Sequence, residues 1–277
     1  MGPSGTVEAI RANGWRQGSI FPTSDHSVLQ PFSKQELTSK SCCVVISQSC
    51  DLVCPDLVAE PAAELVLAHA LGSAADGSFT HAKNPRRLHF HVKISTGSMA
   101  HEAHIRDRFS VTRSLLATHR PDQTRELPDE DVQDLISWIL ARYERTAFPD
   151  EFNVRIRAIT EQKIKPILKK LPKLRALYVA LSSWDELKAG ETYKISLLAT
   201  VRVEDFEDSS TKAAIEKGVG QICAALSTCD GVMLEDSEVL PENEVTLAMI
   251  RNLARWNFDY ISLRDPGEHV PPARERS

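Results

Sequence analysis

Residues Leu88–Ile94, LHFHVKI, alternate without a break: Leu88, Phe90, Val92 and Ile94 fall on one side, His89, His91 and Lys93 on the other. Period-two alternation marks a strand with one buried face. The stretch is therefore expected to be a half-exposed strand. Upstream, Cys42–Gln48, CCVVISQ, is a short β-branched run between polar flanks and reads as a buried strand. Ala63–Ala70, AELVLAHA, fits either a strand or a helix, and Ala74–Thr80 is a turn or loop. Trp15–Phe21, WRQGSIF, is the first stretch expected to be ordered, with a polar loop following to Lys40. A further short strand over His104–Asp107 would complete a β-rich module with long loops, barrel-like in outline, over residues 1–120.

Downstream the periodicity changes. Pro128-Asp129 is a helix start, and Val132, Leu135, Ile136, Ile139, Leu140 and Tyr143 follow at three-and-four spacing. Phe152–Lys170 is a second amphipathic segment with Pro166 as an expected kink and a lysine-rich side. These helices predict a connector over residues 121–174. Ala176–Leu181 and Thr192–Val201 then read as an antiparallel hairpin. Ser210–Leu226 reads as a helix capped by Ser209 or Ser210, and Gly231–Leu234 as a short strand. Glu242–Arg255 is read as a helix and Phe258–Leu263 as a last strand. The order ββαβαβ over residues 175–264 predicts an α/β sandwich, with a loose tail over 265–277. The fold class is α+β.

Composition narrows the function classes. The chain has 277 residues, 42% apolar and 26% charged, which suits two globular units without disulfide or metal staples. A net charge of −5 opposes bulk, non-specific nucleic-acid binding. Met1–Ile10 lacks a basic stretch followed by an apolar run, and no apolar run approaches bilayer length. A soluble, cytoplasmic protein with no membrane partner is expected. Six cysteines, four of them within Cys42–Cys54, are expected to be free, mostly buried thiols in a reducing compartment.

The densest chemistry is Ser47–Cys54, SQSCDLVC. A thiol beside a carboxylate directly after a buried strand makes Gln48, Cys50 and Asp51 the candidate catalytic residues. The competing reading makes Cys50 a small buried apolar residue and Asp51 a turn cap. Activation of Cys50 would need an imidazole or cation, and His69, His81, His89 or His91 could reach it only through the fold. Zinc held by Cys50, Cys54 and a histidine is a weaker alternative, because the spacing does not match paired zinc knuckles and Cys42 and Cys43 point to opposite faces; no metal is expected. His89 and His91 share a strand face, and Arg86-Arg87 stand where that strand begins, so these four are the candidate binding residues. Arg142 and Arg145 with the Phe148-Pro149-Asp150 turn form a second polar cluster. Gly-rich phosphate loops, GxSxG, HExxH and EF-hand patterns are missing from the sequence, and no cofactor is expected.

The pairing of Gly18 in WRQGSIF with Val44-Val45-Ile46-Ser47 in CCVVISQ resembles the opening of PemK/MazF-type toxins, in which a Gly-containing first strand precedes a variable loop and an apolar strand ending in Ser. The resemblance covers about the first hundred residues. It implies an SH3-like barrel and, in that family, cleavage of single-stranded RNA. The family's catalytic arginine has no counterpart in Pro22–Ser41, and Gln48, Cys50 and Asp51 replace its usual polar run. Two functions follow. One is a non-catalytic binding module of a prokaryotic or phage system, recognising a protein or nucleic-acid partner. The other is a toxin-like or defence-type effector, a ribonuclease related to PemK/MazF. The binding module is favoured, since neighbouring residues supply no complete nucleophile, base and acid.

Overall fold

In the computed structural model, which describes residues 3–144 and 147–258, the protein is a mixed helix-and-sheet chain. It divides into two compact units. One comprises Met1–Ala75 and Arg86–Ala141, the other Asp76–Pro85 and the chain from Arg142 onward. The residues expected to form a connector are thus shared between the units. Residues 121–141 belong to the first and residues 142–174 to the second.

The first unit opens on α1 (Pro3–Asn13), which precedes the stretch expected to be the first ordered one. A short helix α2 (His26–Leu29) leads to β1 (Ser41–Val45), followed by α3 (Ser49–Leu52) and β2 (Ala62–Ala70). The sequence pattern left Ala63–Ala70 open; here it is a strand. Next come β3 (Arg87–Ile94), β4 (Gly97–Thr112), α4 (Arg113–Thr118), β5 (Arg125–Glu126) and α5 (Asp129–Glu144). The five strands form one curled antiparallel sheet in the order β1-β2-β4-β3-β5. His104–Asp107, expected to be a short strand of its own, lies within the sixteen residues of β4. There a register shift opposite Val66/Ala68 bends the strand.

Both faces of this sheet are buried. Cys43, Val45, Leu65 and Leu67 join Trp15, Phe21, Leu29, Leu52 and Leu116 in one core. Cys42, Val44, Val66, Ala68, Leu88 and Phe90, one residue out of phase, are buried on the opposite face. Trp15–Phe21 runs antiparallel beside β1. Gly18 N donates to Val45 O at 2.8 Å, Val45 N to Ser19 O at 2.8 Å and Phe21 N to Cys43 O at 3.0 Å, around an Ile20↔Val44 bridge. The last carbonyls of α4, which no intrahelical amide can reach, are taken by the Asn13 amide and by the Trp15 indole, whose Nε1 donates to Leu116 O at 2.8 Å.

The second unit contains α6 (Asp150–Ile159), a π-helical turn over Thr160–Ile164 and α7 (Lys165–Lys169). The π turn, and not a break at Pro166, accommodates the irregularity. Pro166 sits in the first turn of α7, where a missing amide costs little. There follow β6 (Ala176–Leu181), β7 (Tyr193–Val201), α8 (Val203–Glu207), α9 (Ser209–Leu226), β8 (Val232–Pro241), α10 (Leu247–Ile250) and β9 (Ala254–Arg255). The sheet order is β8-β7-β6-β9, with β8 parallel to β7 and the other pairs antiparallel.

Four further expectations are corrected in this unit. The cap of α9 is Asp208, whose carboxylate reaches the Thr211 amide at 3.0 Å, a reach that Ser209 at the first helical position lacks. The strand expected over Gly231–Leu234 continues to Pro241. The helix expected over Glu242–Arg255 shrinks to α10, capped by Thr246, because Ala254–Arg255 instead pairs with β6. Phe258 lies in no strand, and the remainder of the expected last strand, the tail and Arg145 lie outside the described residues.

Asp76–Pro85 is built into this second core. Phe79 packs with Phe152, Ile164, Leu168 and Leu177. Gly77 lies against the backbone of Leu168–Pro172 so closely that a Cβ would overlap it. The buried Lys83 ammonium donates to the Leu171 and Leu174 carbonyls, and Asn84 to Phe258 O at 3.0 Å.

Candidate functional site

The Ser47–Cys54 segment leaves β1 and turns through α3. Ser47 Oγ accepts from Glu64 N at 2.8 Å, which fixes the turn to β2. Gln48, Ser49 and Cys50 are exposed and Asp51 is half-buried, so the candidate residues reach solvent. The Cys50 thiol donates to Gln48 Oε1 and to Asp51 Oδ1, both at 3.4 Å. Both partners are acceptors. Among the described residues no imidazole or guanidinium is recorded as a partner of this thiol, and an activated thiolate needs such a neighbour. Cys42 and Cys43 differ sharply from Cys50: burial pushes each of their thiols up to about 12. All six cysteines are free. Among the described residues no three His, Cys, Asp or Glu side chains are grouped to hold a metal ion.

The turn carrying Cys50 is tied to Trp15–Phe21 by Gln17. Its amide donates to Ser49 Oγ at 3.1 Å and its side chain to Ile46 O at 2.8 Å. Gln17 also lines a polar cleft of about 300 Å³ with Arg16, Gly18, Asp122, Gln123, Arg125 and Glu126. Gly18 adopts φ +85°, and a Cβ there would fall 2.5 Å from Val132 Cγ2, which explains glycine at this point of the wall. Arg125 braces the inner wall. Its Nε donates to Asp122 Oδ2 at 2.6 Å and its two terminal nitrogens to Ser41 O at 3.1 Å and Phe21 O at 2.8 Å. Burial works against the Asp122 carboxylate, yet hydrogen bonds from Thr124 and Arg125 hold it below its ordinary range. The cleft therefore carries fixed charge of both signs.

The candidate binding residues gather elsewhere on the same sheet. Pairing across the β3–β4 hairpin sets His89 opposite Glu102 and Arg87 opposite His104. Glu102 Oε2 accepts from Arg87 Nε at 3.0 Å and from His89 Nε2 at 2.7 Å, and Oε1 from His104 Nε2 at 2.9 Å. Burial of Glu102 opposes its charge, but the bonds from His104, His89 and Arg87 outweigh it and hold the carboxyl well below the usual range. On β2 the register brings His69 opposite the same glutamate, with Ser41 Oγ 3.5 Å from His69 Nδ1.

The expected solvent face of the strand is thus corrected at His89, which is only 6% exposed because it turns onto Glu102. His91 stays exposed; its amide donates to Asp131 Oδ1 at 3.0 Å, and partial burial of its ring, then the charge of His89, lower its pKa. Arg86 contributes its carbonyl to Ile105 N at 3.0 Å. The structure brings Arg87 and His89 together and separates their network from the bonds that hold Cys50. Glu102 was missed from the sequence. The signal was present, since counting outward from the Ser95-Thr96 turn puts 102 against 89 and 104 against 87. The polar turn of the second cluster has a structural role. Phe148 stacks on Trp184, and the first amides of α6 donate to the Glu186 carboxylate at 2.7 and 2.8 Å.

No family model matches the chain, and neither the curated proteins nor the solved structures contain a match to it.

Proposed function

We propose that the first unit is a non-catalytic binding module of a prokaryotic or phage system, and that its partner is a protein. The supporting observation is the pair of hydrogen bonds that Gln17 donates to Ser49 and Ile46, which joins the exposed Gln48–Asp51 turn to the rim of the polar cleft as one continuous surface. Asp122, Glu126 and Asp129 line that cleft beside Arg16 and Arg125. Mixed charge of this kind suits a polar peptide segment better than a phosphate backbone, which favours an uninterrupted basic groove. Among the described residues no helix is long and apolar enough to cross a membrane.

A photo-crosslinking amino acid at Ser49 or Arg16, in cells, tests the reading. The same protein adduct should form from both positions and be lost with Gln17→Ala. Adducts to nucleic acid, or protein adducts indifferent to Gln17→Ala, would overturn it.

The effector reading has one observation in its favour: the antiparallel pairing of Trp15–Phe21 with β1 is the arrangement that an SH3-like toxin barrel requires. Under that reading, expression slows bacterial growth, and Cys50→Ala or Asp51→Ala relieves the effect. Wild-type chain that leaves growth unchanged would exclude it.

A further inference from the structure

β8 is the terminal strand of the second sheet, paired on one side with β7 from Tyr193↔Val232 to Val201↔Pro241. Among the described residues no strand pairs with its other side. Ten residues is long for an edge strand. Its register against β7 shifts between Ile195 and Ser196, which leaves Glu235 as an extra, bulged residue, while the ladder on either side of it is regular. Its ends are anchored, with Val232 and Pro241 buried. Between them, Glu235, Asp236, Ser237 and Glu238 are exposed in unbroken succession. A strand packed on even one face buries alternate residues, so this middle stretch leans on the β7 ladder alone.

Its charge selects what could sit there. Lys194 on β7 pairs with Glu235 at 2.9 Å, and Asp236 accepts from its neighbour Ser237 N at 2.8 Å. Asp236 and Glu238 have no salt bridge recorded to a described residue. A second copy of β8 would lay these carboxylates against themselves, and like charges directly opposite destabilise a strand pair. A strand bearing lysine or arginine would instead set ammonium or guanidinium groups opposite them, while backbone bonds supply affinity.

We propose that the free edge of β8 accepts an extended, basic segment of a partner protein as a fifth strand. This surface belongs to the second unit, so it stands or falls separately from the cleft of the first.

The probe is a labelled ten-residue peptide alternating Lys with Val or Thr, titrated into the full chain by fluorescence anisotropy. It should bind at least about tenfold more tightly than its Glu-for-Lys counterpart. The double change Asp236→Lys/Glu238→Lys, at exposed positions that the fold tolerates, should weaken it by about tenfold. A version N-methylated at every residue keeps the charge but loses the backbone donors of both edges, and should not bind. Bound peptide should slow amide exchange within Met233–Leu240. Equal affinity for both peptides, binding that survives N-methylation, or protection located elsewhere overturns strand addition. So does slow exchange of the outward amides before peptide is added, because the edge would then already be occupied by this chain.

Discussion

Replacing Glu102 by glutamine tests whether the histidine–arginine network supports the first sheet. Glu102 is 16% exposed at its side chain, and three donors converge on it from β3 and β4. Removing the charge leaves Arg87, His89 and His104 facing a neutral amide that can accept at one oxygen only. Breaking a fully buried ion pair costs about 3–5 kcal/mol, and an exposed one less than about 1. For this mostly buried cluster the expected loss is about 2–3 kcal/mol. The assay is urea unfolding combined with hydrogen exchange of peptides from Arg87–Thr112, which reports on the β3–β4 hairpin directly.

The pH dependence has a definite sign. The folded-state pKa of Glu102 lies below its unfolded value. Its contribution is therefore complete above the unfolded value of about 4.3 and is lost as pH falls toward the depressed folded value. The gap between wild type and Glu102→Gln should narrow as pH falls below about 4. A loss under about 0.5 kcal/mol at pH 7, or a gap that does not narrow below about 4, would refute the reasoning.

Gly18→Ala should destabilise the first unit by about 2–5 kcal/mol, since a left-handed φ costs a β-carbon about 1–2 and the overlap with Val132 adds about 1–3. Adding Val132→Ala should recover only the overlap share in a denaturation series, and complete recovery would show that the backbone is unstrained. Among the thiols, Cys50 should react with a disulfide reagent within the native state, whereas Cys42 and Cys43, buried and pushed up to about 12, should react only on unfolding. In a Cys54→Ser background, because Cys54 is itself half-buried, Cys50→Ser should remove the fast phase, and its persistence would contradict the exposure of Cys50.

The strands of the first unit were legible because Leu88–Ile94 and Cys42–Gln48 have the apolar alternation or β-branched density that burial demands. The helix at Asp129 was equally plain from its acidic start and apolar stripe. β8 was cut short because its middle carries Glu235, Asp236 and Glu238, a composition that resembles a loop unless the ladder to β7 is known. Glu242–Arg255 carries a helical pattern, and the pairing of Ala254–Arg255 with β6 overrides it at its end. Around the candidate site, the place of Gln48 and Cys50 directly after a buried strand was legible, but the exposure of Cys50 was not, since a free thiol reads first as a small buried residue. The cleft did not, since Gln17 and Arg125 meet β1 through backbone carbonyls, which leave no trace in residue type. Glu102 was overlooked because the strand carrying it was read as covering only His104–Asp107, so its place opposite His89 did not emerge.

The placement of Asp76–Pro85 in the second unit has a consequence for any attempt to dissect the molecule. The chain passes between the units three times, at 75/76, 85/86 and 141/142, so a single proteolytic nick near Arg142 releases neither half intact. A recombinant fragment starting there would be missing Phe79 and the buried Lys83 from its interior. During synthesis the ribosome delivers that plug some sixty residues before the walls that receive it, from about Arg142 onward, so the downstream half can complete its interior only after a piece of the upstream sequence has been held in waiting.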